Sequence, residues 1–201
     1  MVENKENAED AKKTHVGGGV ADFMRRRKLS RMLAMQYLFM ADMQNRWDEL
    51  PWNEVGAFRY LAEDVFSGED ADDNQISQED LDASWTFANI LIGGAVPIRA
   101  ELDELICSAV ANWNFSRISY IDRAILRLCT FEILKQPKNV TPATAINEAV
   151  ELAKRFSTRD AHKFVNGVLD KVRHLVENRP KNEIVAGDAG VVLRDSAEEV
   201  K

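Results

Sequence analysis

Five basic side chains fall within seven residues at "RRRKLSR": Arg25, Arg26, Arg27, Lys28 and Arg31, with no acid among them. Groups of this kind bind phosphate. The chain as a whole carries a formal net charge of -7, so the cluster is a local feature set against an acidic total. On a helix, Arg27–Arg31 and Lys28–Arg31 are i,i+4 and i,i+3 neighbours. Each like-charge pair costs a few tenths of a kcal/mol, and a helix N-terminus disfavours cations. A bound anion relieves both penalties. Further along the same helix, Met35, Leu38 and Phe39 lie on or near the basic side. Charge for phosphates and a ring for a base are what a single-stranded nucleic acid uses. The alternative is a solvated basic helix end with Phe39 packed against another helix. Charge alone does not separate the two.

Catalytic chemistry finds little support. Of the three histidines, His15 lies in a polar terminal stretch, and His162 and His174 are twelve residues apart on one helical pattern. No H-E-x-x-H, C-x-x-C or glycine-rich phosphate loop appears. Asp160 and His162 are two residues apart and point in different directions on a helix. Asp160 reads as an acid at a helix N-terminus. Asp103 with Glu104, and Glu148 with Glu151, read as solvated faces. Cys107 and Cys129 sit in apolar patterns and read as buried thiols. The expectation is a protein without catalysis, metal or cofactor.

The elements that must position the basic cluster are helices. The 201 residues fit one domain, and five prolines and few β-branched runs favour an all-α fold. No apolar run reaches the ~18 residues of a membrane span, and the N-terminus lacks the apolar region of a secretory signal. A cytoplasmic protein is expected. Residues 1–22 and 178–201 read as flexible tails around a helical domain at 23–177. Within it, helical periodicity predicts seven helices. They cover about 25–45, 52–66, 77–93, 97–111, 116–135, 141 onward, and 157 or 158 onward. Gly93-Gly94 is read as the end of the third. The fifth, "SRISYIDRAILRLCTFEILK", is apolar nearly all round and so central. The sixth has Thr141 as N-cap and Pro142 in its first turn. The seventh carries Phe164 in its apolar stripe. Residues 47–80 hold eleven acids against one base, Arg59, and the stretch from 67 reads as an acidic loop.

Three segments, "RRRKLSRMLAMQYLF", "YIDRAILRLCTFEIL" and "ATAINEAVELAKRFSTRDAHKFVNGVLDKV", resemble the NusB family of bacterial transcription antitermination factors. "AINEAVELAK" followed by "HKFVNGVLDK" is the most specific part; "FANILIGGAV" is a weaker match. The resemblance covers most of residues 24–174. It implies a compact all-α fold of two packed subdomains. It implies a partner, ribosomal protein S ten (NusE in this role), and joint binding of the boxA element of nascent leader RNA. It implies delivery to the RNA polymerase elongation complex, antitermination on ribosomal RNA operons, and no catalysis. Carried over by position, the RNA contacts fall on Arg27, Lys28 and Arg31, on Phe39 where the family usually has Tyr, and on Asp122, Asp160 and Phe164. Lys163 is a neighbour that an acid such as Asp160 could orient. Family members differ in whether they dimerise, which leaves a homodimer open. Two other readings stand beside this one. The first is an RNA-recognition domain acting in ribosomal RNA modification or ribosome assembly. The second is a helical adaptor that binds protein only.

Overall fold

The computed structural model describes residues 19–47, 78–110 and 115–179. The described residues form six α-helices and two short 3-10 turns, with no strand. The helices are α1 (Val20–Gln44), α2 (Gln78–Ala95), α3 (Arg99–Ala109), α4 (Tyr120–Lys135), α5 (Pro142–Phe156) and α6 (Ala161–Glu177). The helix expected at 52–66 and the acidic loop lie outside the described residues.

Local chemistry explains the ends. Helix α1 stops where Asn45 enters the left-handed region at φ 50°, and the Arg46 N–H closes on the Ala41 carbonyl at 3.0 Å. Ser119 caps α4, accepting from the Asp122 N–H at 3.1 Å. Thr141 caps α5, accepting from the Thr144 N–H at 3.2 Å, and Pro142 takes the first turn. Three expected boundaries move. Helix α4 begins at Tyr120 and not at 116, because residues 115–117 form a 3-10 turn and Ser119 takes the cap. Helix α1 begins at Val20, so residues 20–22 belong to the helix and not to the tail. Helix α6 begins at Ala161, because Ser157 is extended (φ -115°, ψ -169°) and residues 159 and 160 turn.

The glycine pair does not end α2. The helix continues to Ala95, and Gly94 serves close packing instead. A Cβ at Gly94 would meet the Phe131 ring at 2.2 and 2.5 Å. Phe131 belongs to α4, so glycine lets α2 and α4 approach.

Helix α4 is central, as its all-round apolarity predicts. Residues 124–133 are buried without interruption, and α4 touches α1, α2, α3, α5 and α6. Helix α1 is enclosed as well. Residues 29–35 are all buried because α2 packs on one side and α4 on another. Leu33, Ile92, Leu102, Ile125 and Val165 have no measurable exposure and anchor one continuous core. Each such side chain contributes roughly 1.5–3 kcal/mol on burial. Helices α5 and α6 form a hairpin against α4, and α3 lies on α6. Of the cysteines, Cys129 is buried but Cys107 is exposed. No described helix is long and apolar enough to cross a membrane.

Candidate nucleic-acid interface

The basic cluster splits into four environments. Arg25 and Arg26 both bind Asp80, at the start of α2. Arg25 Nη2 donates to one carboxylate oxygen at 2.6 Å and Arg26 Nε to the other at 2.5 Å. Partners 54 and 55 residues apart leave no local signal. Arg27 lies over aromatic rings, its guanidinium carbon 3.5 Å from the Phe87 centroid and 5.0 Å from that of Phe23. Burial, reinforced by the Arg31 charge, lowers its pKa, and Glu132 opposes this in part. Lys28 is exposed.

Arg31 corrects an expectation. Its residue is 3% exposed, and its guanidinium forks onto Glu132 of α4 with contacts of 2.9, 3.0 and 3.1 Å. Glu148 of α5 stands 3.6 Å away. A helical wheel places Arg31 opposite the apolar face, but that side of α1 is covered by α4. Its charge is buried and spent on Glu132, and it is not presented at the surface, contrary to expectation. Burial raises the Glu132 carboxyl above its ordinary range, and the Arg31 charge and hydrogen bond pull it back only in part. Such a pair fixes geometry more than it stabilises.

The other expected residues are distributed as follows. Phe39 is half-buried and packs on the core, so it presents part of a ring. Asp122 is buried at 9% exposure. The Ser119 hydroxyl donates to one of its carboxylate oxygens and the Ser157 hydroxyl to the other, each at 2.7 Å. Asp122 therefore ties the start of α4 to the α5–α6 connection and is not presented as an open acceptor. Asp160 makes no side-chain cap bond. It pairs with Lys163 at 2.9 Å, with both side chains at least 73% exposed. Phe164 is half-buried against the core.

Electrostatics link the two ends of the candidate surface. The hydrogen bond from Lys154 lowers the Glu151 carboxyl, and the charges of Lys154, Lys28 and His162 add to it. Glu151 is on α5, Lys28 on α1 and His162 on α6. The start of α1 and the start of α6 thus flank the same stretch of α5. Lys28, Lys154 and Lys163 are exposed there with Asp160 between helices. A surface of this kind can hold a phosphate backbone. Among the described residues no cluster of His, Cys, Asp or Glu is arranged to hold a metal.

A family model described as the NusB family matches residues 28–174. The transcription antitermination protein NusB of Desulforapulum autotrophicum is 40% identical over 150 residues, covering 74% of this chain and 92% of that protein. The chain belongs to the NusB family. Another family member, from Geobacter sulfurreducens, is 35% identical over 149 residues and covered over 92% of its length. Among solved NusB structures, that of T. maritima NusB has a TM-score of 0.53 at 26% identity, covering 79% of this chain and 95% of that one. A chain from the crystal structure of antitermination factors NusB and NusE in complex with double-stranded RNA has a TM-score of 0.52 at 28% identity, covering 76% and 98%. The all-helical NusB fold expected from the resemblance is therefore the fold observed. The family match begins at Lys28, so Phe23 and Arg25–Arg27 precede it.

Proposed function

We propose that this chain is a non-enzymatic transcription antitermination factor. It pairs with ribosomal protein S ten in its NusE role and binds boxA-type single-stranded RNA of nascent leader transcripts. The complex joins the RNA polymerase elongation complex and supports processive transcription of ribosomal RNA operons. The observation that carries this reading is the exposed Lys28 of α1, standing with Lys154 of α5 and Lys163 of α6 on a chain of the NusB family. The solved relative holding NusB, NusE and RNA supports both partners.

In this reading Arg27 and Lys28 attract phosphates, and Phe39 and Phe164 offer partial ring faces. Asp160 and Lys163 meet base or backbone groups from the start of α6. Arg31 and Asp122 act from behind, holding α1 and the α5–α6 connection in place. The test is titration of a labelled boxA-type RNA across a salt series, with and without the S ten protein. Binding should be saturable and tighter with the partner. The substitution Lys28→Ala should lower the log–log salt slope by about 0.7, the value for one lost phosphate contact. Absence of saturable binding with the partner present rejects the proposal.

A further inference from the structure

A cleft of about 230 Å³ opens between the first turns of α1 and the middle of α2. Its walls are apolar, from Phe23, Phe87 and Ile90, with Thr86 at one edge. Arg27 lies against both rings, and Lys138 lines the cleft from the turn after α4.

Three features of this cleft serve no need of the core. Phe23 is 53% exposed, so a large part of its ring faces solvent. The Arg27 Nη1 atom is buried and finds no hydrogen-bond partner among the described residues. Lys138 sits in the left-handed region at φ 52°, ψ 38°, a conformation that glycine adopts without cost and lysine does not. Lys138 forms no ion pair with a described residue. The nearby acid, Asp80, already faces both Arg25 and Arg26. The cleft therefore combines a part-exposed ring, a guanidinium with an unmet donor and an exposed lysine.

We propose that this cleft receives one unpaired RNA base, stacked on Phe23 and held edge-on by Arg27, with the adjoining phosphate on Lys138. The inference rests on the RNA-binding reading and adds a subsite on the α2 side of α1, away from the α5–α6 side. Stacking suits the ring because every base has a π-face. Base carbonyl and ring-nitrogen acceptors suit a guanidinium donor such as that of Arg27. The volume is below the roughly 300 Å³ at which drug-sized pockets begin, which fits a single base and not a longer segment.

The experiment uses the full chain with its S ten partner and a boxA-type RNA. One set of RNAs carries an abasic site at each position in turn. The protein variants are Phe23→Ala, Thr86→Trp and Lys138→Ala, at positions exposed enough for the fold to persist. Unfolding midpoints check that it does. Phe23→Ala and Thr86→Trp should each weaken binding about tenfold, the effect of one lost stack, with the salt slope unchanged. Lys138→Ala should lower that slope by about 0.7. One abasic RNA should bind the wild type about tenfold more weakly but bind Phe23→Ala no worse than intact RNA does. If the wild type binds RNA while all three variants and every abasic RNA keep full affinity, the cleft proposal is overturned and the RNA-binding reading stands. If the wild type shows no saturable binding, both fall.

Discussion

Arg31 and Lys28 show how far chemistry at one residue depends on which side of a helix is covered. They stand three positions apart in one basic run, yet one is sealed inside and the other is in water. Their substitutions should behave differently. Lys28→Ala should leave stability within about 0.5 kcal/mol, as surface changes do, and weaken RNA binding. Arg31→Ala leaves the Glu132 carboxylate buried without its partner, and should cost about 3–5 kcal/mol of unfolding free energy. Urea unfolding of both variants measures this; equal stabilities would refute the internal role of Arg31. Glu132 gives a further contrast. Burial holds its folded carboxyl above the ordinary value, so as pH rises the unfolded chain gives up this proton before the native state does. Its contribution is full at pH below the ordinary carboxylate value and is lost as pH rises through the raised one. Wild type should therefore lose stability relative to Glu132→Gln as pH rises above the ordinary value of 4.5. A relative gain with rising pH would show that Arg31 dominates over burial.

Elements are positioned by contacts that no single helix encodes. Gly94 is a helix breaker by propensity, costing about 1 kcal/mol against Ala. It lies inside α2 because the Phe131 ring occupies the space of its missing side chain. Gly94→Ala should therefore destabilise by about 1–3 kcal/mol despite its better propensity, as overpacking does. Shortening the ring, with Phe131→Leu in the same chain, should restore part of that loss. Thermal unfolding of the single and double variants tests the coupling; additive effects would place the clash elsewhere. Asp122 acts at the same scale. Its two oxygens join Ser119 and Ser157, so the start of α4 and the turn before α6 move together. Asp122→Ala should loosen residues 157–160 and expose their amides to hydrogen exchange. It should leave α2, at the far side of α4, protected. The Thr141 cap and the central place of α4 were legible in the sequence, because a cap follows from neighbours within four residues and a central helix is apolar on all its faces. The packing of the α2 glycine and the tie from Asp122 to Ser157 were not, because those partners lie 37 and 35 residues away.

For the whole molecule, charge distribution matters more than its total. A net charge of -7 argues against RNA only if it is spread evenly. Eleven acids lie in residues 47–80, while Lys28, Lys154 and Lys163 stand exposed around one stretch of α5. Binding should be steeply salt-dependent in spite of the acidic total. The all-α class, the order of helices and the basic start of α1 could be read from periodicity, capping residues and composition. These depend on local backbone preference and on apolar spacing, both written along the chain. Which of the five cations face solvent could not be read in that way. Burial of Arg31, pairing of Arg25 and Arg26 with one aspartate, and the ring contacts of Arg27 arise where α1 meets α2 and α4. Those meetings depend on packing between segments far apart in sequence, and only the folded chain brings them together.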